Sequence, residues 1–452
     1  MAIPTTIGRA ELRTLSLSFL RSAGFWLAVV VLAGAGLRLA WTQTHEYFPL
    51  GGDGRWYLVV ATNMADGRGY VIDFDEQGRE VAGEGQPTAF FPPGYPVALA
   101  GAMKLFGRGM TAVGALNVAA EALTILLVFL LGRLLAGPRV GLLAAALYAL
   151  LPEPIFSAEF AMSEATFTAL FLLALVVLAA GSGTRLHAWT PLLFGLCAGL
   201  ATLTRGEGLV LLPAAALFWL LRDGLRAAAR SLLLVSLTVA LVVSPWTVRN
   251  AFQLHDFVPV STNAGVNLRI GHSPEARGRY FWPEPIEETD GWNTLYHAMR
   301  PEQEVRRNRV YTRRAFDYFW SHPLDEVTLA GKKLYWLFRV DPRTDLVRGL
   351  STLGATPIEP AALRRAVPPL VDATHYGLLL LAAAAVPFWV RRREPVAVLL
   401  VAVVALWALF HVALFAIPRY HLPLLPIFSI AAAWTLAKLS AMFALSGRSP
   451  AG

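Results

Sequence analysis

Long apolar runs, separated by short turns that carry arginine, organise most of the chain. Ten runs, at 24–41, 113–135, 141–156, 164–180, 189–203, 209–221, 231–248, 376–390, 396–416 and 422–439, read as membrane spans. The third and sixth are short for a hydrocarbon core about 30 Å thick. Another apolar piece, 94–106, has only about 13 residues and opens beside prolines, which predicts an interfacial or re-entrant helix. Counted as a span, it would invert the orientation of everything after it. Two stretches break the pattern: 42–93, between the first two spans, and 249–374, which holds nearly half of the acids and is rich in aromatics. The opening of the second, NAFQLHDFVPVSTNAGVNLRIGHSPEARGRYFW, reads as short strands and turns. Further on, EQEVRRNRVYTRRAFDYFWSHPLDEVTLAGKKLYWLF has helical spacing broken at Pro323. The expected fold class is an all-α polytopic membrane protein of about ten transmembrane helices with a small mixed extracytoplasmic insert. Its expected parts are an N-terminal transmembrane module (1–248) that includes the first outer loop (42–93), the insert (249–374), and C-terminal transmembrane helices (375–452).

Composition agrees with a membrane solvent. Of 452 residues, 56% are hydrophobic and 15% charged, too apolar a balance for a soluble globular chain. The net charge of +8 is unevenly placed. Arg9, Arg13, Arg21, Arg133, Arg139, Arg185, Arg222, Arg226, Arg230, Arg391 to Arg393, Lys438 and Arg448 all fall on one side of the ten-span topology. The positive-inside rule makes that side cytoplasmic. The surplus is then orientation, and no basic stripe interleaved with aromatics points to nucleic acid. Arg21 before an apolar run imitates a signal peptide, but the long run and the spans after it predict a retained anchor. The single cysteine, Cys197, excludes an intrachain disulfide and a thiolate metal cluster.

Charged residues at membrane depth each cost about 3 kcal/mol unless paired or wetted. Five places bring them to the same predicted outer level: Asp53 in GGDGRWYLVV, Glu164 in AMSEATFT, Arg205 and Glu207 in LTRGEGLVLLP, Arg249 in SPWTVRN, and Arg419 with Tyr420 and His421 in FAIPRYHLPLLP. A purely structural reading stands beside the functional one. An aspartate after glycines is a common helix cap, charges at span ends serve as interfacial anchors, and Glu121 near Asn117 can be a helix-packing contact.

The string D-x-x-x-Y-x-x-x-A followed by G-x-G-Y (Asp53, Tyr57, Ala61, Gly67, Gly69, Tyr70), then PTAFFPPGYP, SPWTVRN with VPVSTNAGVNLRIG, and RYHLPLLP occur in order over most of the chain. Together they resemble GT-C glycosyltransferases, in particular bacterial members of glycosyltransferase family 39, the protein O-mannosyltransferase and aminoarabinose transferase group. The resemblance implies transfer of a sugar from a polyprenyl phosphate to an acceptor outside the cytoplasm, with Asp53 at the place of the catalytic carboxylate. Members of this group often carry a second acid directly after that aspartate; here Gly54 stands there.

The chemistry gives each residue a role. Displacing phosphate from an anomeric carbon passes through an oxocarbenium-like state. Asp53 would take the acceptor's proton, and Glu164 is a second catalytic candidate that positions the acceptor or Arg55 by charge. Arg55, Arg205, Arg249 and Arg419 are candidates to hold the donor phosphate. Tyr57, Tyr95, Tyr420 and His421 complete the expected substrate set. An apolar groove would take the prenyl tail at about 0.8 kcal/mol per buried methylene. The nine histidines include no H-x-x-x-H or H-E-x-x-H spacing, so no cofactor is firmly indicated. A divalent metal between Glu84 and His272, one from each outer segment, is the metal site considered. The expected protein is a metal-independent or weakly metal-dependent transferase of the bacterial inner membrane, with its active site on the periplasmic side. Its partners would be a polyprenyl-phosphate-linked sugar, membrane lipid and an extracytoplasmic protein, glycolipid or wall glycan, and no nucleic acid. A secondary transporter or flippase is the alternative, although paired repeats with broken midplane helices are not evident. A non-catalytic lipid-binding protein on the same fold is another.

Overall fold

The apolar runs fold as helices. The computed structural model describes residues 9–44, 52–73, 85–181, 188–281, 300–340 and 361–446. In chain order the helices are α1 (Arg9–Thr44), α2 (Gly52–Ala65), α3 (Gly94–Phe106), α4 (Met110–Ala136), α5 (Pro138–Leu150), α6 (Pro152–Ser157), α7 (Glu164–Ala180) and α8 (Thr190–Thr204). They continue as α9 (Leu211–Asp223), α10 (Leu225–Leu254), α11 (Ala264–Gly271), α12 (Pro301–Ser321), α13 (Pro323–Phe338), α14 (Ala361–Arg392), α15 (Pro395–Val412) and α16 (Leu425–Ser446). Two 3₁₀ turns, Gly206–Val210 and Pro418–Leu424, precede α9 and α16. Among the described residues six helical stretches are long and apolar enough to cross a bilayer: Ala23–Gln43, Met110–Ala136, Leu225–Leu254, Arg365–Arg392, Pro395–Val412 and Pro418–Phe443. Helices α5, α7 and α8 are shorter but apolar, and α9 takes the place of the sixth expected run. The protein is a multi-pass membrane protein.

Small residues let these helices approach closely. A methyl group at Gly141 would lie 2.5 Å from the Phe129 carbonyl oxygen, and one at Gly132 would lie 2.9 Å from the Gly141 Cα. The α4–α5 crossing therefore needs both glycines. In lipid, where apolar surface gains nothing by leaving the solvent, such close packing is what holds helices together. Helix α7 is apolar beyond its first-turn Glu164 and is largely buried, as an all-round apolar helix must be inside a bundle.

The insert differs from expectation. Among the described residues of 249–374 there are helices α11, α12 and α13 and no strands; the two strands found, β1 (Val71–Ile72) and β2 (Gln86–Pro87), form a hairpin in the first loop. The strands expected in the opening of the insert, VPVST and its neighbours, are corrected accordingly. Helix α10 runs on through SPWTVRN to Leu254 and stops at His255, whose φ of 53° is left-handed. After it, VPVST is bent and joins no sheet, and side chains of α10 satisfy its carbonyls. Trp246 Nε1 donates to Val260 O at 2.6 Å, Asn250 Nδ2 to Val258 O at 3.0 Å, and Thr247 Oγ1 to Pro259 O at 2.9 Å. Once those acceptors are filled, burial does not require a β ladder.

Deep in the bundle, Arg38 of α1 is fully buried. Its Nε donates to Glu121 Oε2 of α4 at 3.1 Å, and its NH1 donates to the carbonyls of Gly34 and Ala149. Tyr148 OH of α5 donates to the same carboxylate oxygen at 3.0 Å. Three helices thus share one buried charge pair, whereas Asn117 turns to the carbonyls of Ala158 and Phe160. Removing one partner leaves an uncompensated charge, a loss of about 3–5 kcal/mol, while replacing both by apolar residues is far less costly. Arg38→Met is therefore expected to lower the thermal denaturation midpoint in detergent sharply, and Arg38→Met with Glu121→Leu to recover most of the loss. A double variant no better than the single one would show that the pair is not what holds these helices.

Candidate active site

Four helix ends and turns meet at one place. Gly52, with φ of 70°, turns the chain into α2 so that Asp53 stands in its first turn. Glu164 opens α7. Helix α8 stops at Arg205, whose extended backbone leads into the 3₁₀ turn bearing Glu207. That turn folds tightly onto α8, since a methyl group at Gly208 would lie 2.5 Å from the Thr202 nitrogen. The fourth element, the Pro418–Leu424 turn, presents Arg419 and Tyr420.

Their side chains form a line of alternating charge. Arg205 donates to Glu207 Oε1 at 2.7 Å through NH2, and to Glu164 Oε1 at 2.9 Å and Ser163 Oγ at 3.2 Å through NH1. Arg419 pairs through NH2 with Asp53 and lies 3.5 Å through Nε from Glu164 Oε1. Glu164 is thus shared by both guanidiniums. Burial alone would raise the Glu207 carboxyl, but the Arg205 guanidinium, aided by His411, holds it below the ordinary carboxylate value. The Tyr57 phenol, in contact with Ser163, is pushed well up by burial and by the Asp53 charge, so it remains a neutral hydroxyl.

This line forms one wall of a cavity of about 930 Å³. Asp53, Tyr57, Arg205, Glu207, Arg419 and Tyr420 line it on that side. Phe410, Phe415, Trp336 and Ile270 supply apolar surface, and Asn263, Asn267 and Arg279 come from the insert. Such a space can hold a charged or hydroxylated head between the two polar walls and an apolar chain against the rest. Exposure separates the two arginines: the Arg419 side chain is 27% exposed and that of Arg205 13%. Arg419 is the more accessible to an incoming anion.

Of the residues expected from the sequence, Asp53, Tyr57, Arg205, Arg419 and Tyr420 reach this cavity, and Glu164 lies directly behind them. Arg55, Tyr95, Arg249 and His421 do not line it. Tyr95 is fully buried and packs edge-on against Tyr57 at 5.0 Å between ring centroids. Arg249 acts as a tether: it donates to Thr88 O at 2.8 Å and Tyr70 O at 2.7 Å, with its guanidinium over Trp246. Both carbonyls flank the β1–β2 hairpin, and their capture docks the first loop onto α10. His421 points away, into a buried contact with Glu153 at 3.0 Å. His272 is occupied by Glu326 Oε2 at 2.8 Å and Ala413 O at 3.0 Å; Glu84, its expected metal partner, lies outside the described residues. Sequence reasoning left Ser163, Glu207, His411 and Arg279 without a role in the site. The RGEG turn was a signal for Glu207; nothing local distinguishes the other three.

Residues 91–248 match the family described as dolichyl-phosphate-mannose-protein mannosyltransferase. No curated protein matches the chain by sequence. Among solved structures, the apo oligosaccharyltransferase of Archaeoglobus fulgidus is similar over 94% of this chain and 52% of its own, with 16% identity and a TM-score of 0.54. The same protein tethered to an acceptor peptide with the NVT sequon matches over 94% and 50%, with 15% identity and a TM-score of 0.52. ArnT from Cupriavidus metallidurans bound to undecaprenyl phosphate overlaps over 92% of this chain and 78% of its own, with 16% identity and a TM-score of 0.45. The chain spans about half the length of the oligosaccharyltransferase it matches. About a third of the chain, 91–248, is thus similar to that mannosyltransferase family, and the helical fold is similar to that of the oligosaccharyltransferase, in agreement with the expected GT-C architecture.

Proposed function

We propose that the protein transfers a sugar from a polyprenyl-phosphate donor to an acceptor on the outer face of a bacterial inner membrane. The observation that carries this reading is the Asp53–Arg419 pair on the wall of a cavity that is otherwise largely apolar. A carboxylate and a guanidinium side by side are what a displacement at an anomeric carbon needs. Asp53 takes the acceptor's hydroxyl proton as the acceptor oxygen bonds to the anomeric carbon. The bond from that carbon to the phosphate oxygen breaks, and its electron pair leaves on polyprenyl phosphate, beside Arg419. Arg419 neutralises the leaving group, which requires it to exchange its Asp53 contact for phosphate. The same exchange frees Asp53 to act as base only when the donor is present. Glu164 holds both arginines in place, and the phenolic hydroxyl of Tyr57 remains available to hydrogen-bond substrate.

The apolar surface from α11 and from the α15 end suits the prenyl chain, and the polar residues of the insert suit the acceptor or the sugar. The acceptor is a protein, glycolipid or wall glycan. The transfer is metal-independent or weakly metal-dependent, and no step is assigned to an ion. The family description, which names a lipid-phosphate sugar donor, supports the donor class.

Asp53→Asn keeps the hydrogen-bonding oxygen but cannot accept the proton. Turnover is expected to fall about 10²-fold or more with donor binding retained. Near-normal turnover in that variant would leave Asp53 as a helix cap. Arg419→Lys keeps the charge and loses the planar fork, so the donor KM should rise several-fold while the folded yield stays unchanged; an unaltered KM would remove Arg419 from the phosphate site. Glu164→Gln should reduce turnover by less than Asp53→Asn. Orientation is tested by cysteine labelling of sealed cells after removal of Cys197: reagent applied outside should reach cysteines placed in the first loop and the insert. Labelling at position 226 or 392 under the same conditions would reverse the topology and with it the outer-face reading.

A further inference from the structure

Away from the cavity, on the other side of the turn that carries Arg419, three side chains converge in the interior. Glu153 of α6, His375 of α14 and His421 of the Pro418–Leu424 turn are each 1–2% exposed. One donor atom from each lies within 4.8 Å of the others. His421 Nε2 is 3.0 Å from Glu153 Oε1, and His375 Nδ1 is 3.0 Å from Glu153 Oε2. None of the three lines the cavity.

The outer nitrogens of the two rings decide what this arrangement is suited to. His421 Nδ1 faces Leu337 O at 3.0 Å and His375 Nε2 faces Phe338 O at 3.1 Å, consecutive carbonyls at the end of α13. A carbonyl can only accept, so both of these nitrogens carry hydrogen. In two neutral imidazoles the remaining nitrogens, His421 Nε2 and His375 Nδ1, present their lone pairs toward the one carboxylate. Lone pair against carboxylate is repulsive; protons on the rings would relieve it, and so would a divalent cation, which engages all three groups at once. Metal-binding histidines characteristically donate their other N–H to a carbonyl or carboxylate, which sets the tautomer and ring orientation; both rings here are set in that way.

We propose that Glu153, His375 and His421 bind one zinc-class divalent ion that fastens the Arg419-bearing turn to α6 and α14. Two imidazoles and one carboxylate suit zinc far better than magnesium or calcium, which prefer all-oxygen shells. Zinc bonds of about 2.0–2.1 Å in tetrahedral geometry place ligand atoms about 3.4 Å apart, so the two 3.0 Å contacts need to open by only a few tenths of an ångström. The ion is structural: no donor atom faces the cavity, and its effect on transfer acts through the placement of Arg419, two residues from His421.

The test needs no activity measurement, so its outcome is separate from that of the proposed reaction. Protein purified without a polyhistidine tag, in detergent, is analysed for metals by inductively coupled plasma mass spectrometry. Chelator-stripped protein is then reloaded with zinc or cobalt(II). About one zinc per chain is expected, together with the visible bands of four-coordinate cobalt(II) and a rise in denaturation midpoint on reloading. Glu153→Gln and His375→Asn should each weaken zinc binding by about 10-fold or more. Because the wild-type measurement is decisive alone, poor folding of a variant does not protect the proposal. Folded wild-type protein that neither holds zinc nor gives cobalt bands overturns it. So does zinc that persists in His375→Asn but is lost in His272→Asn, since the ion would then sit elsewhere.

Discussion

The line of charge from Glu207 through Arg205, Glu164 and Arg419 to Asp53 is the constraint around which this end of the protein is arranged. Each of these groups would be costly to bury alone, and a broken pair is worse than no pair. Their mutual satisfaction requires the first turn of α2, the start of α7, the turn after α8 and the turn before α16 to meet at one place. The alternation of sign also sets the chemistry. Two guanidiniums among three carboxylates hold one another in place without any substrate, and in the proposed reaction only the Arg419–Asp53 contact has to be exchanged.

Two further docking contacts serve that arrangement. Arg249 binds the carbonyls of Tyr70 and Thr88, on either side of the β1–β2 hairpin. Glu304 of α12 accepts from Thr88 Oγ1 and from the Ala89 backbone nitrogen, and also from Thr262 Oγ1. The first loop is therefore clamped from two sides, by the end of a span and by the insert, and α2 with Asp53 is held at the cavity wall. The insert closes the cavity through α11 and secures the loop through α12. Tyr70 adds a bond from its hydroxyl to Phe91 O at 2.8 Å, joining the hairpin to the approach to α3.

Much of the outline was legible in the sequence because membrane burial leaves a coarse signature. An apolar run must become a helix in lipid, where every backbone polar group needs an internal partner, and charges at the ends of such runs stand out against them. That is why Asp53, Glu164, Arg205 and Arg419 could be grouped before any coordinates, and why the spans were recognisable. Arg38 carried the same signal, a charge within the first apolar run, but its partner Glu121 is 83 positions away. The strands expected around VPVST were misjudged for a related reason: alternation marks an extended segment, but not whether its carbonyls are met by a second strand or by the side chains of Trp246, Thr247 and Asn250.

Direction is where the sequence fell short. Arg249 and His421 lie in the same kinds of motif as Arg419, yet one tethers the first loop and the other turns inward to Glu153. Adjacent residues in a 3₁₀ turn point about 120° apart, so Arg419 and His421 can serve different environments although only one residue separates them. The sequence by itself determined the solvent, the helical class and the set of charges that must be satisfied, because those follow from composition and spacing. Only the tertiary structure decided which charge faces the cavity and which is consumed inside the protein, because that depends on which distant carbonyl or carboxylate comes within about 3 Å.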